Sequence, residues 1–259
     1  MKKILALAYH RVFPGYHIDP EIFEWQIKTL KEKFSPLTLE EVLSFIKGDL
    51  LLKKNGFVVT FDDGWADNFV YAYPILKKYN VPATIFVSTA FIQDKRSIIF
   101  DYAKTKEMAE IIKNYQEKYQ GEFLSWEEIN QMEPLIQIES HGRSHLNYAN
   151  TPPEKIKEDI ETSIEIITEK TGRQPKFIAW PFGKYNKEAM KIAKETGLKA
   201  ALTIKIGDIK NNSSLYELKR FSPPRHRFLF LIALKGKLGM FFYRMLVFLF
   251  SKTKKLIKR

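Results

Sequence analysis

Phe57-Val-Val-Thr-Phe-Asp-Asp-Gly64 is the stretch on which the fold turns. From Phe57 to Phe61 every residue is apolar or β-branched, which is the pattern of a strand buried on both faces. The Asp-Asp-Gly that follows ends the strand, Trp65–Tyr79 has the length of a helix, and Ala83-Thr-Ile-Phe-Val87 is a second apolar run. A strand, a helix and a strand in that order make a parallel pair joined by a crossover. Outward from this unit the pattern repeats. Strands are expected at Ile4–Tyr9, Leu135–Glu139, Phe177–Pro181 and Lys199–Ile204. Helix starts lie between them: Asp19-Pro20-Glu21, with Phe23, Ile27 and Leu30 at helical spacing, and Asn186 before a helix running to Gly197. Thr38-Leu-Glu-Glu41, Ser125-Trp-Glu-Glu128 and Thr151-Pro-Pro-Glu154 each read as a capping box, the last leading into Ile156, Ile160, Ile164 and Ile167 with Gly172 past the end. Phe91–Gly121 is poorly patterned and reads as a helical insertion. The alternation favours an α/β fold with a closed or nearly closed barrel over an open sheet, so functional groups should gather beyond the C-terminal ends of the strands.

Three polar clusters stand at such ends. The first is Asp62-Asp63. Adjacent carboxylates after an apolar strand raise one another's pKa or share a cation, and a helix N-cap is the competing reading. The second is His141-Gly-Arg-Ser-His145, whose histidines, four apart on one turn, can face one ion. One carboxylate and two imidazoles form a three-ligand set that leaves positions open for water and substrate, and the remaining carboxylate lies where a general base is wanted. The third is Trp180-Pro-Phe-Gly183, a turn able to aim backbone N–H groups into a pocket or to serve as an ordinary loop.

These clusters, with Ala8-Tyr-His-Arg-Val12, Tyr73-Pro-Ile-Leu76 and Pro82-Ala-Thr-Ile-Phe-Val87 around them, resemble the polysaccharide deacetylase (NodB-homology, carbohydrate esterase 4) family over about residues 3–222. The Tyr-His-Arg-Val opening and the Trp-Pro-Phe-Gly form look most like its poly-N-acetylglucosamine deacetylase branch. The resemblance implies a distorted (β/α) barrel of about seven parallel strands that removes N-acetyl groups from amino sugars with one divalent metal ion, Zn2+ by expectation. Carried over by residue, it makes Asp62 the general base and Asp63, His141 and His145 the metal ligands. His10 becomes the general acid, and the Phe182 N–H an oxyanion donor. Two departures stand out: Ala179 occupies the place of a common arginine, and a late Leu-x-His motif is missing. Arg220, in Leu218-Lys-Arg-Phe221, is the candidate to orient Asp62, with a salt bridge on the barrel rim as the other reading. His17 and His226 belong to no motif. A catalytically inactive glycan-binding barrel tethered to a membrane, and an amidase or deformylase acting on a lipid-linked sugar, are the alternative functions.

Composition narrows the rest. The chain has 259 residues, 45% hydrophobic and 28% charged, ordinary for a globular protein. Cysteine is absent, which rules out disulfides, thiolate metal sites and a cysteine nucleophile. The net charge of +12 resides after residue 218, where 12 Lys and Arg meet no acidic residue. The expected domains are therefore a barrel over 1–222 and a basic, apolar tail over 223–259. Residues 228–251 are nearly all Phe, Leu and other apolar types, broken by Lys235, Lys237 and Arg244. Lys237, Arg244, Ser251 and Lys258 recur every seven residues, giving an amphipathic helix with a narrow polar stripe. That suits the interface of an anionic membrane, with Lys252–Arg259 on headgroups. A core helix completing the barrel and a nucleic-acid arm are the other readings, the arm disfavoured by so much Phe and Leu. At the N-terminus the apolar run Ile4–Ala8 is shorter than the ~7–15 residues of a signal-peptide core. The expectation is a cytoplasmic protein, peripheral on the inner membrane face, with an N-acetylated glycan or lipid-linked amino sugar as substrate and no nucleic-acid partner.

Overall fold

The computed structural model describes residues 2–14, 18–95, 123–235, 239 and 245. The chain divides into two compact units, Met1–Ser222 and Pro223–Arg259. In the first, Ile4–Tyr9 (β1), Ser35–Pro36 (β2), Gly56–Phe61 (β3), Ala83–Val87 (β4), Ile136–Ser140 (β5), Phe177–Ala179 (β6) and Ala200–Leu202 (β7) form one seven-stranded sheet. Its order is β1-β3-β4-β5-β6-β7, with β2 beside β3, and every pair is parallel. The sheet curls until its ends approach. Leu218 bridges to Leu202 on one side and Phe221 to Leu7 on the other, so the stretch Leu218–Phe221 joins β7 to β1. All six residues of β1 and of β3 are buried, which is why both read as unbroken apolar runs.

Helices Pro20–Lys33 (α1), Leu39–Lys47 (α2), Tyr73–Tyr79 (α3), Trp126–Met132 (α4), Pro153–Thr171 (α5) and Lys187–Glu195 (α6) accompany the strands. Asp19 and Asn186 cap α1 and α6 as expected, and both Thr38 and Ser125 form complete capping boxes. Ile156, Ile160, Ile164 and Ile167 bury one face of α5; the first three join Ile178, Ala193 and Trp180 in one apolar cluster over β6 and β7.

Three local expectations need correction. Thr151 does not cap α5: its hydroxyl donates to the Asn147 carbonyl at 2.8 Å, and Pro152 stands at the cap instead. Pro153 supplies the preset φ of the first helical residue, so the helix starts without a side-chain cap. The helix over 65–79 is divided. Asn68–Ala72 forms a π turn before α3 begins at Tyr73, because Pro74 has no N–H to offer the regular ladder. β6 and β7 are shorter than expected, and β2 carries too few residues to show a period. The insertion expected within Phe91–Gly121 falls on residues 96–122, outside the described residues, as does His17.

In the second unit Arg227–Leu234 forms a helix (α7). Beyond Lys235 only residues 239 and 245 are described, so the stripe expected at Lys237, Arg244, Ser251 and Lys258 lies outside the described residues. His226 is exposed, and no helix among the described residues is long and apolar enough to cross a membrane.

Candidate metal centre and active site

The C-terminal strand ends bring the sequence-predicted residues together. Asp62 and Asp63 follow β3, His141 and His145 follow β5, His10 follows β1, and Phe182 lies in the turn after β6. Asp63 and both histidines are buried, and one ligand atom from each lies within 4.8 Å of the others. Asp63 Oδ1 stands 3.4 Å from His141 Nε2 and 3.2 Å from His145 Nε2.

The hydrogen bonds around this triad test whether a cation fits. His141 Nδ1 lies 2.7 Å from the Ala179 carbonyl, which can only accept, so Nδ1 carries the proton. Unless the ring is charged, Nε2 then presents a lone pair toward the Asp63 carboxylate. Two acceptors facing each other in a buried site need a proton or a metal ion between them, and the carbonyl-anchored imidazole is the usual support of a metal-ligating histidine. The other Asp63 oxygen accepts from Trp65 Nε1 at 3.0 Å, which turns Oδ1 toward the histidines. Burial pushes the Asp63 carboxyl up, but His141, His145 and His10 outweigh it and hold it well below the usual carboxylate range. The donor set of two nitrogens and one oxygen fits a divalent ion of the zinc class.

Asp62 is held differently. Arg220 Nη1 and Nη2 donate to its two oxygens, each at 2.7 Å, in a bidentate pair. Arg220 is 1% exposed and also donates to Thr60 Oγ1 at 3.1 Å and the Thr203 carbonyl at 3.0 Å. The rim reading of Arg220 is therefore wrong: the stretch that joins β7 to β1 carries it into the interior beside Asp62. Burial alone raises the Asp62 pKa, yet Arg220, His141 and His10 bring it below the ordinary value, so the carboxylate stays ionised and able to accept a proton.

His10 is exposed where β1 ends, near enough to act electrostatically on both carboxylates. Asn68 Nδ2 donates to its carbonyl at 3.0 Å, pinning the backbone where β1 ends. Phe182 adopts a left-handed conformation, φ 56°, and is 52% exposed. Its ring meets the His145 ring edge-on at 4.3 Å between centroids. Gly183, also left-handed, has Ile204 packed where a Cβ would lie, so the turn can be this tight only with glycine there.

Sequence reasoning missed the Ala179 carbonyl, Trp65 and Asp159. A backbone carbonyl leaves no trace in a sequence. Asp159 left one: it falls among Ile156, Ile160, Ser163 and Ile164 on the buried face of α5, where a carboxylate needs partners.

Comparison with known proteins agrees with this geometry. Residues 52–201 match the polysaccharide deacetylase family model. The poly-beta-1,6-N-acetyl-D-glucosamine N-deacetylase of Staphylococcus aureus is 30% identical over 239 residues, covering 83% of this chain and 77% of that protein. Among solved structures, the Streptococcus pyogenes deacetylase PplD in complex with acetate superposes with a TM-score of 0.71 at 23% identity, over 86% of this chain and 93% of that one. IcaB from Ammonifex degensii gives a TM-score of 0.71 at 21% identity, over 86% and 92%. These two likenesses establish the fold, and the first two matches establish the lineage: the chain belongs to the polysaccharide deacetylase family.

Proposed function

We propose that this hydrolase cleaves the amide C–N bond of N-acetylated amino sugars in a glycan, with poly-β-1,6-N-acetylglucosamine or a lipid-linked relative as substrate, in a metal-dependent reaction. One observation supports it most: a buried Asp63–His141–His145 triad directly beside an ionised Asp62 clamped by Arg220. A divalent ion held by the triad would polarise the acetyl carbonyl and lower the pKa of the attacking water. Asp62 takes the proton from that water, with Arg220 holding the carboxylate in line through both attack and proton transfer. The Phe182 N–H donates to the developing oxyanion. His10, at the open side, gives its proton to the departing nitrogen, so that acetate and a free amine leave. No covalent nucleophile enters. The test is to incubate the full chain, loaded with zinc, with β-1,6-linked N-acetylglucosamine oligomers and measure acetate and new primary amines in equal amounts. No acetate from these or from lipid-linked N-acetylated sugars would overturn the assignment.

The second unit is proposed to hold the enzyme on the inner face of an anionic membrane. Support comes from the ten Lys and Arg, with no acidic residue, of residues 223–259 and from exposed Phe228 and Leu231 on α7. Apolar burial and roughly 1 kcal/mol per Lys or Arg near an anionic surface should add. Removal of residues 228–259 should release the protein from phosphatidylglycerol-rich vesicles and leave zinc binding intact. A truncated protein that stays on the vesicles, or no longer folds, contradicts this role.

A further inference from the structure

The two histidines of the triad are oriented by different means. The His141 ring is fixed through its own Nδ1, which bonds the Ala179 carbonyl at 2.7 Å. His145 Nδ1 is buried and has no hydrogen-bond partner among the described residues. With nothing holding Nδ1, its ring direction depends on the backbone that carries it, together with the Phe182, Phe91 and His141 rings around it and Asp63 on Nε2. That backbone is unusual. Gly142 has φ 76° and His145 has φ 54°, so the loop makes two left-handed turns within four residues.

A single side chain gathers this loop. Asp159, on α5 and 5% exposed, accepts the Arg143 N–H on Oδ2 and the Ser144 N–H on Oδ1, each at 2.9 Å. The Tyr148 hydroxyl donates to Oδ2 at 2.6 Å, closing the far end of the loop onto the same carboxylate. On the other side the loop carbonyls are taken: Thr89 N–H donates to Gly142 at 3.2 Å and Ala90 N–H to Arg143 at 2.9 Å. Gly142 fits because it lacks a side chain. A Cβ there would lie 2.2 Å from the Tyr148 hydroxyl and 2.5 Å from Asp159 Oδ2.

We propose that Asp159 is a positioning residue for the metal centre: by binding the Arg143 and Ser144 N–H groups and the Tyr148 hydroxyl it sets the left-handed His145 so that Nε2 faces Asp63. This rests on the reading of Asp63, His141 and His145 as metal ligands. Three donors meet two oxygens, so the carboxylate is required. An amide at this position turns one acceptor into a donor and opposes an N–H or the hydroxyl.

The experiment compares zinc affinity, by chelator competition, for the full chain and three variants, with the visible spectrum of the cobalt-loaded forms as a reporter of ligand geometry. Asp159→Asn should weaken zinc binding by about 10–100-fold, the usual effect of losing a partner that orients a metal ligand, and shift the cobalt spectrum. Tyr148→Phe removes one of the three donors and should weaken binding by a smaller factor in the same direction. Ile160→Val, on the same helix but facing the apolar cluster, should lower the melting temperature and leave affinity and spectrum unchanged. Wild-type affinity in Asp159→Asn, or an equal loss in Ile160→Val, overturns the proposal. If Asp159→Asn does not fold, Tyr148→Phe decides it, and an unchanged affinity there overturns it. A wild-type protein that binds no zinc removes the metal reading itself and this inference with it, whereas zinc bound equally by wild type and Asp159→Asn removes the positioning role alone.

Discussion

At the scale of single residues, the site depends on two adjacent carboxylates being given different neighbours. Asp62 meets a guanidinium and Asp63 meets two imidazoles, although both belong to one turn after β3. On the proposed function, that division makes Asp62 the general base and Asp63 a metal ligand. Asp62→Asn should retain zinc and lose turnover by ~10²–10⁴-fold, the usual contribution of a general base, in a steady-state acetate assay. Near-normal turnover would reduce Asp62 to a structural role. The pairing with Arg220 has a stability consequence as well. Replacing Arg220 by Met leaves a buried carboxylate without its counter-charge, which costs ~3–5 kcal/mol when one member of a buried pair is removed. Urea unfolding of Arg220→Met should show a loss of that order, and a loss below about 1 kcal/mol would place the pair among exposed ones. Asp62, Asp63, His141 and His145 were legible in the sequence because each follows an apolar run with a turn residue beside it. Arg220 was legible only as a candidate, because nothing in Leu218-Lys-Arg-Phe221 tells whether the side chain points inward.

At the scale of elements, the sheet is least regular between β5 and β6, which pair only through Ser140 and Ile178. The N–H groups of Lys176 and Phe177 instead meet the Glu139 carboxylate at 2.7 and 2.8 Å. Glu139 thus fills a gap in the ladder with a side chain, at 5% exposure. Burial is the main effect on its pKa; the two N–H donors oppose it and the Glu40 charge adds to it, leaving a value of about 8 against an ordinary 4.5. The folded protein therefore keeps a proton that the unfolded chain releases across that window. Its contribution to stability is complete below the unfolded value and is lost as pH rises through the folded one. Glu139→Gln keeps an acceptor for the two N–H groups and does not titrate. Relative to wild type it should gain stability as pH rises from about 5 to about 8.5, read by urea unfolding at both ends. A stability difference independent of pH would show that Glu139 is ionised in the fold. Such details were hidden in the sequence. Glu139 sat at the end of an expected strand without any sign of a gap, and Thr151 satisfied a capping rule that the surrounding turn overrode.

At the scale of the whole molecule, the alternation of apolar runs and capped helices favours a barrel over an open sheet and puts the functional groups at the C-terminal ends of the strands. The joining of β7 to β1 was not readable, since Leu218–Phe221 contributes single bridges and has no period. Yet that joining delivers Arg220 to Asp62, so the most consequential long-range contact of the site depends on the least patterned part of the barrel. On the proposed function, Asp63, His141 and His145 hold the ion on which amide hydrolysis depends. The most direct measurement is acetate release from β-1,6-linked N-acetylglucosamine oligomers, with zinc content recorded alongside. It would compare native protein, chelator-treated protein, the same protein after zinc is restored, and the His141→Ala/His145→Ala double variant. One zinc per chain and acetate release are expected in the native and restored samples, and neither in the chelated protein or the double variant. Full acetate release from the chelated protein, or stoichiometric zinc and undiminished turnover in the double variant, would contradict it.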